Sequence, residues 1–487
     1  MNIDDLCWQV RHHAGVPPRM VRALLDLGQS ELLVRAARER GDWNCAEAAA
    51  RALAAAGEFD RALALLDPFT EIGWRAAEWV TAEVMISRGE ADEALAMVRP
   101  DAAELGDGRV CARYAELLAQ AGRTEEAVEL LAPHLGERRF RSHLVELTEG
   151  RGCDDLVLDA LTRAAEHPEE HPAGPADGAG AVCERCGRAG GAAPRGDRWD
   201  VLLLISRVLE RAGRADRAVE LLRAETASGR RHPVGFPEHY ARLLARQGLV
   251  EELGALAAAD PYPAFEVYAR ALEDAGRADE AEALLRAEVE AHDHPKDRTA
   301  LMHLLVRRGR TDEAVEAGRP TYAYDDCWNL LPWALELLVD DGRPDRAFEL
   351  LGTLTGAYVA EHPEQIGRLR LRLLGAAGRC PEGIAEATAL NRRQPGAWDT
   401  ALAGLLERDG RPEEALALLR SSTHPSARRD LADLLLRLGR PAEALAAVPT
   451  VAEQRAAAAR RQRGAARRRE RDDPWPATDR PAPEPPF

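Results

Sequence analysis

The chain has 487 residues and a formal net charge of −17, so its overall field opposes nonspecific binding to nucleic acid or to an anionic membrane. Hydrophobic residues make up 46% of the chain and aromatic residues only 5%. Most of the hydrophobic residues are Ala and Leu, a composition that is typical of packed helices. Lys296 is the only lysine, a bias typical of a GC-rich bacterial genome, so a single arginine is not by itself a sign of chemistry.

Residues 1–41 are predicted to form an N-terminal helical cap, with breaks at Pro17-Pro18 and Gly28. The N-terminus has neither the basic nor the apolar segment of a secretion signal, and no apolar run of about 18 residues could span a membrane. Six of the 8 cysteines lie singly within helical patterns, which is typical of small buried residues in a reducing compartment. We therefore expect a cytoplasmic protein.

A short motif then recurs along the chain: a Gly, an acidic residue three or four positions later, and an Ala five positions later. Copies begin at Gly57, Gly89, Gly122, Gly213, Gly276, Gly309, Gly342, Gly410 and Gly439. Gly276, Gly309 and Gly342 follow one another at steps of 33 residues. A period near this length is typical of a stacked array of helical units.

Each copy predicts a corner between two helices. The Gly can take the left-handed conformation that ends the first helix, and the acidic residue then falls in the first turn of the second helix, where the helix dipole favours it. Pro344, Pro412 and Pro441 stand where the start of a helix tolerates proline. A small residue recurs seven positions before the Gly, which lets two helix backbones approach closely: Ala82, Ala115, Ala241, Ala269, Ala403 and Ala432.

A small residue in the first helix, Gly at the corner, an acidic residue and Ala in the second helix together resemble the tetratricopeptide repeat family, which has about 34 residues per helical pair. The resemblance covers residues 42–450. It implies an all-α, right-handed solenoid of antiparallel helix pairs that serves as a non-catalytic scaffold for protein–protein interaction. We expect a first solenoid segment at 42–165 and a second at 199–450.

Residues 166–198 interrupt the repeats with a Gly- and Pro-rich loop that cannot continue a helix. Within the loop, His167, His171, Cys183 and Cys186 are four ligands of the types that hold zinc tetrahedrally. A structural zinc ion is one interpretation, and a chance collection of such residues in a disordered loop is the other. No other cofactor is expected.

The same His167-Pro-Glu-Glu-His171 matches the H-x-x-E-H pattern of inverted zinc peptidases, so a zinc-dependent hydrolase is an alternative function. That chemistry needs both histidines on one face of a helix. Pro168 and Pro172 stand where such a helix should run and argue against it.

By analogy with the family, the residues six and two positions before each corner Gly point from the first helix into a concave groove. In the second segment they are mostly cationic: Arg207, Arg211, Arg242, Arg246, Arg270, His303 and Arg307. We call this set the arginine stripe. Guanidinium groups bind carboxylates and phosphates in a bidentate manner, so the stripe predicts a protein partner with an acidic segment. A solvated face that carries the preferred cation of the genome is the alternative.

Two other stretches bear on partners. The aromatic cluster between Tyr322 and Trp333 is predicted to fill a gap between helices or, alternatively, to anchor a bound peptide. Residues 451–487 are predicted to form a tail, with a basic helical extension at 455–470 followed by a disordered Pro-rich end. The basic extension and the stripe would together serve a nucleic-acid-binding repeat protein, which remains an alternative to the protein scaffold.

Overall fold

The computed structural model describes residues 3–166, 197–228, 235–259, 261–322, 329–424 and 426–472. Within these ranges the chain forms α-helices joined by short turns, together with three 3-10 turns, and contains no strand. None of the helices in these ranges is long and apolar enough to cross a membrane. The predicted all-α repeat solenoid is confirmed.

The helices are numbered in chain order. Before the interrupting loop they are α1 (Ile3–His12), α2 (Pro18–Asp26), α3 (Ser30–Arg40), α4 (Trp43–Ala55), α5 (Phe59–Thr70), α6 (Arg75–Arg88), α7 (Ala91–Met97), α8 (Gly108–Gln120), α9 (Thr124–Leu131), α10 (Arg138–Leu147) and α11 (Asp154–Glu166). After it come α12 (Asp197–Arg211), α13 (Ala215–Ala227), α14 (Gly235–Arg246), α15 (Val250–Ala259), α16 (Pro261–Asp274), α17 (Ala278–His292), α18 (Pro295–Arg307), α19 (Thr311–Gly318), α20 (Leu331–Asp340) and α21 (Pro344–Gly352). The remaining helices are α22 (Gly356–Glu361), α23 (Pro363–Ala376), α24 (Cys380–Arg393), α25 (Asp399–Arg408), α26 (Pro412–Ser421), α27 (Ala427–Arg437), α28 (Pro441–Ala447) and α29 (Val451–Asp472).

Most helices form pairs of a first and a second helix around a glycine corner. The pairs are α2/α3, α4/α5, α6/α7, α8/α9, α10/α11, α12/α13, α14/α15, α16/α17, α18/α19, α20/α21, α23/α24, α25/α26 and α27/α28. Every corner glycine of the repeated motif has a left-handed φ, from +70° at Gly439 to +100° at Gly89. The acidic residue that follows lies in the first turn of the second helix, as Asp216 does in α13. The predicted corners are therefore confirmed.

The recurring small residues lie where two helices of a pair touch. All six alanines, from Ala82 to Ala432, are no more than 3% exposed. The leucines four positions before the corner glycines, such as Leu244 and Leu435, are buried as well. Each buried leucine contributes about 1.5–3 kcal/mol to folding relative to an exposed one, so the pairs are held mainly by these apolar contacts.

The chain divides into two compact units. Unit 1 contains Met1–Arg99 together with Ala387–Phe487, and unit 2 contains Pro100–Glu386. In unit 1 the Gln454 side chain of α29 accepts a hydrogen bond from Gly15 N at 3.2 Å and donates one to Gly15 O at 3.1 Å. Arg455 pairs with Asp5 of α1 at 2.9 Å. The segment predicted as a basic helical extension is thus helical, and the start of that helix packs against α1.

In unit 2 the helices on either side of the interrupting loop pack together. Leu158 of α11 lies against a core cluster that includes Trp199 of α12 and Phe236 of α14. The repeat array of unit 2 therefore continues from α11 to α12 although residues 167–196 separate them in sequence.

Candidate functional site

The arginine stripe lies on the first helices of four successive pairs in unit 2, namely α12, α14, α16 and α18. Six of its seven residues are exposed, and Arg211 is the exception. The predicted register therefore places the other six where a partner could reach them.

Arg211 has a structural role. Its side chain is only 17% exposed. Its guanidinium donates to Asp154 Oδ1 in α11 at 2.8 Å and to Thr148 Oγ1, just after α10, at 2.9 Å. A third bond goes to the carbonyl oxygen of Val145. Because these groups come from the pair before the interrupting loop, Arg211 fixes α12 to that pair rather than facing a ligand.

Two other members of the stripe are bound to carboxylates of the preceding first helix. We call these contacts, and the equivalent one in unit 1, the inter-repeat ion pairs. They join Arg246 to Glu210, Arg307 to Glu273 and, in unit 1, Arg437 to Glu407, with N···O distances of 2.6 to 3.0 Å. The hydrogen bonds from arginine lower the pKa values of Glu210 and Glu273 below the ordinary 4.5. Both carboxylates therefore stay ionised at neutral pH.

These ion pairs have a fixed register that was not predicted. Each arginine stands two positions before its own corner glycine, and each glutamate stands three positions before the corner glycine of the preceding pair. The sequence therefore carried a signal, because Glu210, Glu273 and Glu407 recur at one repeat position. The glutamate position was not part of the predicted stripe, and it neutralises two of the stripe's arginines, Arg246 and Arg307.

Three arginines of the stripe act electrostatically on His239 of α14, and Glu210 opposes them. Burial is the largest cause that lowers the pKa of His239, and the positive charges of Arg246, Arg207 and Arg242 lower it further. His239 is thus largely neutral near pH 7. Its Nε2 lies 2.8 Å from the hydroxyl oxygen of Ser206. Since Ser206 is only 1% exposed and its hydroxyl also donates to the Leu203 carbonyl, a substrate could not reach this hydroxyl.

Arg207 and Arg242 are the stripe arginines best placed to receive an external anion. Within the described residues, Arg207 forms no ion pair or hydrogen bond through its side chain, and it is exposed. Among the residues that the structure describes, Arg242 pairs only with Glu238 on its own helix, at 2.6 Å, and 61% of its side chain is exposed. Exposed pairs of this kind are weak, so a bidentate ligand can replace Glu238 at small cost.

The stripe meets the aromatic cluster at α18 and α20. The rings of His303 and Trp333 lie edge to face with centroids 4.6 Å apart. Trp333 is half-buried and packs against the core beside α18. Tyr322, by contrast, is buried and donates to the carbonyl oxygen of Val315, so it fills the interior. Tyr324, Cys327 and Trp328 lie outside the described residues.

The predicted zinc ligands His167, His171, Cys183 and Cys186 also lie outside the described residues. Within the residues that the structure describes, no group of three or more His, Cys, Asp or Glu side chains is placed to hold a metal ion. Zinc binding in the interrupting loop therefore stays a prediction.

The family model for the tetratricopeptide repeat matches this chain six times. The matches are residues 43–68, 76–100, 108–133, 264–287, 398–421 and 425–448. They coincide with the pairs α4/α5, α6/α7, α8/α9, α16/α17, α25/α26 and α27/α28. No curated protein matches the sequence.

Among solved structures, the chain is similar to helical-repeat proteins at low sequence identity. A structure of Naa15/Naa10 bound to HypK-THB has 13% identity and a TM-score of 0.36, with 82% of this chain and 67% of that chain covered. Yeast Tom70 has 14% identity and a TM-score of 0.30, covering 88% and 96%. The maize pentatricopeptide repeat protein PPR10 has 17% identity and a TM-score of 0.32, covering 81% of this chain and 62% of its own length.

The assignment to a family depends on the repeats themselves. Six matched segments each coincide with one helical pair, and the corner glycines, first-turn acids and buried alanines follow the same period in pairs that the family model does not match. The chain therefore belongs to the tetratricopeptide repeat family.

Proposed function

We propose that the protein is a non-catalytic scaffold that binds an extended, acidic segment of a partner protein. Tetratricopeptide repeats are typical of protein–protein interaction, and the proposed site is the face formed by the first helices α12, α14, α16, α18 and α20 of unit 2. We call this surface the first-helix face. The observation that carries the proposal is the exposed pair of Arg207 and Arg242 at one end, with Trp333 at the other.

The length of the first-helix face fits an extended segment. Packed helices lie about 8–10 Å apart, so five successive first helices span roughly 40 Å. An extended chain covers this distance with about 12 residues. A partner segment of this length would reach from the arginines on α12 and α14 to Trp333 on α20.

The ion pairs decide which arginines of the face should matter for binding. Arg246 and Arg307 already hold half-buried carboxylates, so a partner carboxylate would have to replace an existing bidentate bond. Arg207 has no such bond among the described residues, and charge-assisted hydrogen bonds contribute about 1.5–3 kcal/mol each. Arg207 and Arg242 should therefore carry most of the electrostatic part of the binding free energy.

The test uses fluorescent peptides of 12 residues with acidic and aromatic positions, selected on the full-length protein and measured by fluorescence anisotropy. We expect selected peptides to bind, and Arg207→Glu/Arg242→Glu to weaken them by about tenfold or more, because two charge-assisted contacts become repulsive. The matched control is Arg163→Glu/Arg217→Glu, which makes the same charge change on the exposed second-helix positions of α11 and α13.

Equal weakening in both double variants would contradict the proposal, because it would show that only net charge is sensed. Retained binding in the Arg207→Glu/Arg242→Glu variant, with unchanged circular dichroism, would remove this face from the proposal. Tight binding of single-stranded RNA with a steep dependence on salt would instead favour the nucleic-acid alternative.

A further inference from the structure

A cavity of about 940 Å³ lies in unit 1 between α1 and the region of α28 and α29. Its size is within the range of small-molecule sites, about 300–1,000 Å³. Its lining includes Trp8, His12 and His13 of the α1 region, and also Arg428, Arg460 and Arg461. We call it the terminal cavity, since both end regions of the described chain contribute to it.

The position of α29 at the terminal cavity is fixed by hydrogen bonds at its start. Thr450 Oγ1 accepts from Glu453 N at 3.3 Å, and Glu453 Oε2 accepts from Thr450 N at 2.8 Å. This reciprocal arrangement is a capping box, which satisfies two backbone donors at the start of a helix. The two bonds between Gln454 and Gly15 then hold α29 to the turn after α1. The cavity walls are therefore built by specific contacts.

Arg40 lines the same cavity and is held in place by the end of α28. Its Nη1 donates to the Leu445 carbonyl at 2.8 Å, and its Nη2 donates to the Val448 carbonyl. A cation at the C-terminal end of a helix is favoured by the helix dipole. The Nε of Arg40 is buried and has no hydrogen-bond partner among the described residues. This guanidinium therefore brings a fixed positive charge to the cavity wall.

The terminal cavity has an excess of positive charge. Arg40, Arg428, Arg460 and Arg461 line it, together with two histidines, whereas Glu453 is the only carboxylate among its lining residues. Hydrogen bonds from Thr450 lower the pKa of Glu453 most, and the charges of Arg40 and Arg428 lower it further. In the described part of the chain, no carboxylate lies within ion-pair distance of Arg428, Arg460 or Arg461. The exposed guanidinium groups of Arg428, Arg460 and Arg461 are therefore open to an external anion, although the protein as a whole has a net charge of −17.

The α1 region contributes an aromatic surface to the lining. The rings of Trp8 and His12 lie with centroids 4.9 Å apart. The next residue, His13, has a φ of +48°, and Asp293 is the only other non-glycine residue of the described chain in the left-handed region. Such backbone strain costs about 1–3 kcal/mol and often occurs at ligand sites. Here it sets the direction of the turn that carries His13 into the wall of the cavity.

We propose that the terminal cavity binds a small ligand that carries two or more phosphate groups. Guanidinium groups bind phosphate oxygens in a bidentate manner, and Arg428, Arg460 and Arg461 form no ion pair with a carboxylate of the described chain. Trp8 lines the same cavity and would offer a stacking surface to the base of a nucleoside polyphosphate. The terminal cavity contains none of the residues of the first-helix face. A failure of the proposed scaffold function would therefore not contradict the proposed phosphate site.

The test is isothermal titration calorimetry of the full-length protein with tripolyphosphate and with magnesium-free ATP at low ionic strength. We expect both probes to bind to the wild type. Arg460→Glu/Arg461→Glu should weaken both by about tenfold or more, because two attractive contacts become repulsive. The matched control, Arg429→Glu/Arg463→Glu, makes the same charge change on exposed residues of α27 and α29 that do not line the cavity.

The results distinguish a specific phosphate site from nonspecific attraction of anions to exposed arginines. Tighter binding of ATP than of tripolyphosphate supports a contact between the base and Trp8, and equal binding supports a site that recognises phosphates alone. Absence of binding to the wild type, or equal weakening in the control variant, overturns the proposal. Preference for single-stranded RNA over both probes also overturns it and favours nucleic acid as the partner of α29.

Discussion

Arginines occur both on the paired helices and at the contact between α1 and α29, but their surroundings differ. Arg246 and Arg307 on the paired helices each hold a glutamate of the neighbouring first helix. Arg460 and Arg461 at the terminal cavity hold no carboxylate of the described chain. In an array of repeats, a glutamate that pairs with an arginine of the next repeat recurs at the same position of each repeat. The contact between α1 and α29 occurs once. Arg455 finds a partner there in Asp5, whereas the charges of Arg460 and Arg461 depend on a ligand or on solvent.

The glycines of the two regions differ in the same way. A Cβ added at Gly28 or at most of the corner glycines would meet no atom within 4 Å. At Gly15, which also has a left-handed φ, a Cβ would lie 2.4 Å from Gln9 Nε2 and 2.5 Å from Asp42 Oδ2. Corner glycines are needed for backbone conformation alone, whereas Gly15 is needed for conformation and for space.

The largest effect should follow from Gly15→Ala. Gln9 and Asp42 are buried, and Asp42 also accepts a bond from Val16 N at 2.7 Å, so neither side chain can move away without losing a hydrogen bond. The left-handed backbone and the clash should together lower the free energy of unfolding by about 2–5 kcal/mol. Urea unfolding followed by circular dichroism measures the loss.

Gly28→Ala is the matched control for Gly15→Ala, since its φ of +67° is similar and its surroundings are open. It should cost only the conformational term of about 1–2 kcal/mol. Equal losses in the two variants would contradict the comparison between open and enclosed glycines.

A smaller effect should follow from Ala269→Leu in the body of the repeats. Ala269 is 3% exposed in α16, within a core cluster that includes Leu285 of α17. Three extra carbon atoms at this contact should overpack the pair and lower the free energy of unfolding by about 1–3 kcal/mol. Thermal unfolding should shift accordingly, whereas Ala258→Leu, at an exposed position of α15, should have almost no effect. Equal stability of the two variants would show that the buried register of α16 is not needed.

The helical pairs could be predicted because the residues that specify each pair lie close together in the sequence. A Gly that ends a helix, an acid that begins the next and an alanine at the contact all act within one pair, and Gly213, Asp216 and Ala218 take the predicted places. The inter-repeat ion pairs were also present in the sequence as a recurring glutamate position, but pairing two recurring positions required the spacing between neighbouring helices.

The contact of Gly15 with Gln454 had no such signal. The two residues are 439 positions apart, and neither belongs to the repeated motif. Gln454 lies just before the segment 455–470, which was predicted as a basic helical extension with no packing partner named. The terminal cavity could therefore be recognised only after the two end regions of unit 1 had been placed side by side. Similarly, the sequence placed His303 and the aromatic cluster separately, and only the fold brought His303 to Trp333.

The smallest effect concerns the ion pair between Arg307 and Glu273. Arg307 is 37% exposed on its side chain, so solvent screens the pair and its coupling should be only about 0.2–1 kcal/mol. A double-mutant cycle with Arg307→Gln and Glu273→Gln measures it, and Arg461→Gln, which removes an arginine without a carboxylate partner in the described chain, is the reference.

The coupling between Arg307 and Glu273 should also depend on pH in one direction. The bond from Arg307 lowers the pKa of Glu273 below the ordinary 4.5 that applies in the unfolded chain. The unfolded state then binds more protons than the folded state below pH 4.5, so stability falls as the pH falls through the folded pKa. Above that window the coupling should be constant. A coupling that grew on acidification would mean that Glu273 is stabilised in its neutral form. The contact would then not be an ion pair, and the difference in charge pairing between the paired helices and the terminal cavity would be contradicted.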